Sequence, residues 1–183
     1  MSSPLIILDR DGVINHDSDA YIRSPEDWTP IAGSIAAIAQ LNRAGYKVGV
    51  ATNQSGLSRG FFDLTTLEDI HDKMYRLLAE SDAHIDQLVF CPDHPDSPGP
   101  DRKPAPGMAL KLLSEFNAIP CETWFVGDSL SDIKCALNAG CKPALVLTGK
   151  GIKTLETAEF KALVAVPVYS SLAEFTKELL TGN

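Results

Sequence analysis

The feature that most constrains this chain is an alternation in which short apolar runs of strand length are separated by segments whose apolar residues recur at helical spacing. Leu5–Leu8 is the first run, and beyond a long loop Ile35, Ile38 and Leu41 fall on one helix face that Gly45 closes. Residues 46–51 read as a second strand. After the 52–62 loop a helix opens on a Thr65 to Glu68 capping box and carries the stripe Leu67, Ile70, Met74 and Leu77. Residues 88–91, 123–126 and 144–147 supply strands three to five. Between them, one helix is marked by Ala109, Leu112, Leu113 and Phe116, and another by Leu130, Ile133 and Leu137, capped by Ser129 or Ser131 and ended by Gly140. Leu172, Phe175 and Leu179 mark a terminal helix. Parallel neighbours need crossovers, and crossovers are right-handed, so the expected fold is α/β: a doubly wound, Rossmann-like parallel sheet with helices on both faces. A length of 183 residues fits one compact domain over 1–183, with no insertion large enough for a separate cap.

Ligands of such sheets bind beyond the carboxyl ends of the strands. Polar residues cluster there: Asp9 and Asp11 after the first strand, Thr52 and Asn53 after the second, Asp128 after the fourth. Asp9-Arg10-Asp11-Gly12 sets two carboxylates two residues apart at a sharp turn, where their repulsion calls for a cation. Magnesium fits, with oxygen ligands from Asp9, a backbone carbonyl near Asp11, and Asp128. One carboxylate can then attack phosphorus while the other moves the proton. Taken singly, each motif also reads as an Asx-turn or a helix cap. Thr52-Asn53-Gln54-Ser55-Gly56 suits phosphate oxygens or is a plain turn, and Arg102-Lys103 offers phosphoryl-neutralising cations or a surface ion pair.

The net charge of −8 disfavours nucleic acid or anionic membrane as a partner, since such binding draws on clustered Lys and Arg. Neither a signal peptide after Met-Ser-Ser-Pro nor a membrane-length apolar run is present, so the expectation is a cytoplasmic monomer. Cys91, Cys121, Cys135 and Cys141 lack CxxC spacing and read as reduced thiols.

Taken together, Asp9-x-Asp11-Gly12, Thr52-Asn53, Arg102-Lys103-Pro104 and Gly127-Asp128-x-x-x-Asp132 resemble the four motifs of haloacid-dehalogenase-superfamily phosphatases. The fuller wording, Asp9 to Asn15, Thr52 to Gly56 with Arg59-Gly60, and Cys91-Pro92, resembles the branch that removes the C7 phosphate of heptose 1,7-bisphosphate during assembly of lipopolysaccharide precursors. That resemblance implies Asp9 as nucleophile and Mg²⁺ ligand, Asp11 as general acid/base and carbonyl ligand, and Asp128 as the remaining ligand. It implies Thr52 and Lys103 on the phosphoryl group, with Asp17, Asp19, Tyr21, Asn53, Gln54, Ser55, Arg59 and Arg102 facing a sugar phosphate. Many relatives carry zinc on Cys-x-His and Cys-x-Cys before the Arg-Lys pair. Here Asp93 replaces the His, His94 follows one place later and residues 98–101 hold no Cys, so structural zinc is expected to be absent. Ser129 stands where relatives often have Lys, removing a cation. Histidinol-phosphate phosphatase is the enzymatic alternative, and a receiver-like phosphoacceptor domain the alternative from another class.

Overall fold

A computed structural model describes residues 4–163 and 165–182, so Met1 to Ser3 of the N-terminal reading lie outside the described residues. Six parallel strands, β1 (Leu5–Leu8), β2 (Lys47–Asn53), β3 (Gln87–Cys91), β4 (Trp124–Gly127), β5 (Lys142–Val146) and β6 (Val168–Tyr169), form one sheet in the order β3-β2-β1-β4-β5-β6. The helices are α1 (Ser34–Arg43), α2 (Leu64–Ala79), α3 (Gly107–Glu115), α4 (Leu130–Asn138), α5 (Gly151–Glu156), α6 (Ala158–Lys161) and α7 (Leu172–Thr181). Strand pleating sorts the core. Ile6 and Leu8 face the side covered by α1, α2 and α7, where Ile38, Met74 and Phe175 pack. Leu5 and Ile7 face the side of α3 and α4, with Leu112 and Ala136. The doubly wound arrangement with helices on both faces is the expected one.

The chain winds outward from β1 to β3, then returns to the far side of β1 with β4, so the carboxyl ends of β1 and β4 flank the point where strand order reverses. A crevice opens there by construction. Among the described residues no separate cap covers it; loops form the roof. The longest, between β1 and α1, is fixed by its own buried Val13, Ile14, Ile22 and Trp28, and Ser34 Oγ donates to the Ile14 carbonyl at 2.7 Å.

Several local expectations need correction. Helix α2 starts on Asp63, whose carboxylate accepts from the Thr66 N–H and hydroxyl at 2.8 Å each, so Thr65 lies inside the first turn and caps nothing. A carboxylate at the N-cap satisfies an orphan donor and also suits the helix dipole, which outcompetes the Thr. Strand β2 runs on through Thr52 and Asn53, pairing with Phe90 and Cys91. Leu137 is exposed, and α4 buries Ile133, Cys135 and Ala136 instead. Strand β6 and helices α5 and α6 are too short to leave a periodic signal. All four cysteines are free, three buried and Cys121 exposed.

Candidate active site

Asp9 extends the β1 edge, its N–H donating to the Val126 carbonyl of β4 at 3.0 Å. Asp128 follows β4 directly, and Asp132 comes up from the first turn of α4. Ligand oxygens of these three buried carboxylates lie within 4.8 Å of one another. Such crowding is tolerable because Lys103 enters from the loop after β3. Its Nζ sits 2.9 Å from Asp9 Oδ1 and 2.6 Å from Asp132 Oδ1, and donates to the Ala51 carbonyl at 2.8 Å. Burial alone would lower Lys103, but Asp132 and Asp9 raise it above the ordinary lysine range and keep the ammonium charged.

The donor set fits a hard divalent cation. Asp132 is committed elsewhere: its Oδ2 accepts from Ser129 N–H at 3.0 Å and from Ser129 Oγ at 2.6 Å, closing a capping box on α4, while Oδ1 faces Lys103. Asp9 Oδ1 is spent on Arg10 N–H and Lys103, and Asp128 Oδ2 on Lys150 N–H at 2.7 Å. Asp9 Oδ2 and Asp128 Oδ1 accept no hydrogen bond among the described residues, which leaves one spare anionic oxygen on each. Burial, then Asp132, pushes Asp9 up to about 7 against the pull of Lys103, and burial with Asp132 and Asp9 pushes Asp128 up to about 8. Two carboxyls held this unwillingly ionised need a counter-charge. Main chain hems the spot: at Gly12 (φ 83°) a Cβ would come 2.1 Å from Asp128 Oδ2.

Asp11 is held apart from this cluster. Arg10, fully buried, donates Nε to its Oδ1 and Nη2 to its Oδ2, both at 3.0 Å, and Asn15 Nδ2 and Gln54 Nε2 add bonds at 2.8 and 3.1 Å. Burial pushes the Asp11 carboxyl up, but the Arg10 guanidinium and these donors prevail and hold it below its usual value. Arg10 Nη1 donates to His71 Nε2 of α2 at 3.1 Å, and burial together with Arg10 lowers His71 to about 4, so the ring is neutral and can accept.

A cavity of about 330 Å³ opens above these groups. Asp9, Asp11, Asp17, Asp19, Tyr21, Thr52, Asn53, Gln54, Ser55, Arg102, Lys103 and Asp128 all line it, which brings together the residues the sequence selected with one exception. Arg59 stands outside the lining, on an exposed turn whose N–H folds back to the Ser55 carbonyl at 3.1 Å. The turn continues through Gly60 at φ 68°. Tyr21 adopts φ 67°, a left-handed conformation unusual for a tyrosine, and its ring meets Phe61 edge-on at 5.0 Å. Sequence reasoning missed Arg10, the link from Asp132 to Lys103, and Lys150. For Arg10 the cue was available: a charged residue inside an otherwise buried strand-end motif needs a partner. Ser129 is the N-cap of α4, which gives the hydroxyl a use that a lysine lacks. In the 92–101 loop Asp93 Oδ2 accepts from Gly99 N–H at 2.9 Å and the Asp93 carbonyl accepts from Arg102 Nη1 at 2.9 Å, so hydrogen bonds gather the loop around Asp93.

Comparison with known proteins agrees with this geometry. Residues 101–175 match the HAD-hydrolase-like family model. The D-glycero-beta-D-manno-heptose-1,7-bisphosphate 7-phosphatase of Pseudomonas putida is 49% identical over 177 residues, covering 96% of this chain and 99% of that protein. The protein of the same name from Neisseria meningitidis is 46% identical over 180 residues, covering 98% and 96%. A crystal structure of D,D-heptose 1,7-bisphosphate phosphatase from B. bronchiseptica, complexed with magnesium and phosphate, superposes with a TM-score of 0.93 at 46% identity, covering 98% of this chain and 99% of that one. Among the described residues, no helix is long and apolar enough to cross a membrane. With identity of this size over nearly the whole length, and a carboxylate floor suited to a phosphoryl group, the chain belongs to the heptose-1,7-bisphosphate 7-phosphatase family of HAD-like hydrolases.

Proposed function

We propose that this protein is a magnesium-dependent phosphomonoesterase that removes the C7 phosphate of D-glycero-β-D-manno-heptose 1,7-bisphosphate. The observation that carries the chemistry is the pair of spare oxygens on Asp9 and Asp128, beside a lysine fixed by two carboxylates. The sugar and its β anomer come from the names of relatives 46–49% identical to this chain.

Asp9, Asp128 and the Asp11 main-chain carbonyl would hold the metal, which when bound neutralises charge on the phosphoryl oxygens. Asp9 Oδ2 attacks phosphorus; an O–P bond forms to Asp9 as the bond to the C7 oxygen breaks. Asp11 gives its proton to the departing alkoxide. Free Asp11 is ionised; the arriving phosphate dianion raises its affinity for a proton by like-charge repulsion, and the carboxylate takes that proton from solvent before the transfer, which readies it as the acid. Asp11, now a carboxylate, takes a proton from water as that water attacks the aspartyl-phosphate, releasing inorganic phosphate and restoring Asp9. Lys103 and Thr52 steady the transferred group. Asp17, Asp19, Tyr21, Asn53, Gln54, Ser55 and Arg102 line the path of the sugar phosphate.

The protein works without structural zinc and as one domain over 1–183, and it functions as a cytoplasmic monomer with no nucleic-acid or membrane partner. The hydrogen bonds around Asp93 support the first statement, because they tie the loop where relatives place the metal. One experiment tests the reading. Protein stripped by chelation and reloaded with magnesium alone is offered the α and β heptose 1,7-bisphosphates and histidinol phosphate. Fastest phosphate release from the β bisphosphate is expected. Preference for histidinol phosphate would refute the substrate, and a need for added zinc would refute the loop assignment.

A further inference from the structure

Three cations line the active-site cavity against five aspartates, and they are not equally available. Lys103 is locked on Asp9, Asp132 and the Ala51 carbonyl. Arg102 is tethered through Nη1 to the Asp93 carbonyl at 2.9 Å. Lys150 differs from both. It belongs to the loop after β5, on the other side of β1 from the loop that carries Arg102 and Lys103.

The backbone under Lys150 is tightly fixed. Its N–H donates to Asp128 Oδ2 at 2.7 Å, and Thr148 Oγ1 donates to the Gly12 carbonyl at 2.6 Å. A Cβ on Gly149 would fall 2.2 Å from Asp128 Oδ2, and one on Gly151 would fall 1.8 Å from the Val146 carbonyl oxygen. The side chain is 54% exposed, and its ammonium lies 3.1 Å from Asp17 Oδ2 on the same cavity wall. An anchored root with a long, half-exposed head suits a group that must meet a ligand at a set distance from the metal-facing carboxylates. With the lysine half exposed, solvent screens this ion pair and leaves the carboxylate replaceable. A phosphate dianion, with more charge and three acceptor oxygens, displaces it.

Resting on the bisphosphate reading, we propose that Lys150 is the specificity-determining cation that seats the phosphate that is not transferred, exchanging Asp17 for it when substrate enters. A bisphosphate brings two dianions into a cleft already crowded with carboxylates. The floor deals with one of them, and the second needs a cation whose present partner can be replaced.

The test compares heptose 1,7-bisphosphate with heptose 7-phosphate, which lacks the C1 phosphate, on the magnesium-loaded wild type and on K150A, K150R and D17N. Loss of one charge-assisted contact predicts that K150A lowers kcat/KM for the bisphosphate by about 10–100-fold, mainly through KM, with a much smaller loss on the monophosphate. K150R should recover most of the discrimination, and D17N, which lines the same path and can change both rates together, should keep the ratio between the two substrates. Equal losses on both substrates in K150A would overturn the proposal. So would a D17N variant that reproduces the K150A pattern, since Lys150 would then act only by tying down the Asp17 loop. A wild type with no preference for the bisphosphate fails the substrate reading itself, and is recognised by needing no variant to see it.

Discussion

Replacing Asp132 by Asn would expose how the site carries its charge. Asp132 is fully buried, with one oxygen on the Lys103 ammonium at 2.6 Å and the other accepting from Ser129 N–H and Oγ. An amide of the same shape has one acceptor and one donor, so either orientation points N–H groups at a donor: at Lys103 in one, at Ser129 N–H in the other. Breaking a buried charge pair while leaving its partner in place costs about 3 kcal/mol, the low end of the usual range because Asp9 still faces Lys103. For a chain of this length that corresponds to a melting temperature lower by about 6–12 °C. Two effects on turnover oppose each other. Asp9 loses a like charge that raises its pKa, which favours the nucleophile. Lys103 loses the strongest of its three anchors, and a displaced electrostatic stabiliser typically costs about 10²-fold or more in kcat. With metal bound Asp9 is already ionised, so the loss wins. Thermal melting and initial rates on the magnesium-loaded protein read both quantities. A D132N protein within about 2 °C and threefold of wild type would refute the view that Asp132 holds Lys103 in place.

D9N and D11N are each expected to lower kcat by at least about 10²-fold with unchanged circular dichroism, since acid–base help alone is of that size; full activity in either removes the role assigned to it. His71 makes stability depend on pH. Its folded value of about 4 lies below the ordinary 6.5, with Arg10 and Asp11 the charged groups acting on it. The unfolded chain therefore binds the extra proton first, and stability is fully present above pH 6.5 and is lost as pH falls from there toward 4. The loss over that window is about 3 kcal/mol. Denaturant titrations of wild type and H71Q across this range should differ in slope, and parallel curves would count against it.

The floor of the site was legible because each of its carboxylates follows an apolar run short enough to be a strand, and strand ends are where doubly wound sheets bind. Asp9, Thr52 and Asp128 each read singly as a turn or cap, and it was their shared place at strand ends that marked them. Lys103 was legible only through its motif, since its partner Asp132 lies 29 positions away and on another strand's crossover. Lys150 left no trace, as a lone lysine between glycines reads as an ordinary turn until the fold brings Asp128 and Asp17 to it. Arg59 travels with the Thr52 to Gly60 wording, and the turn that makes that wording compact leaves it outside the cavity lining. Secondary structure failed where two signals competed, as with Asp63 against Thr65, or where an element was only two residues long, as with β6.

The cleft divides by origin. Its base consists of residues at the ends of adjoining strands, pinned by the glycines that press on Asp128. Its walls come from the 17–22 segment, the loop after β3 with Pro95 and Arg102, and the loop after β5 with Lys150, connectors whose length the sheet does not dictate. Lineages of such a protein can therefore drift from one phosphorylated metabolite to another by rewriting connectors, with no change to the hydrolytic step. Grafting any of these connectors from a relative should transfer selectivity more readily than editing the residues beneath it.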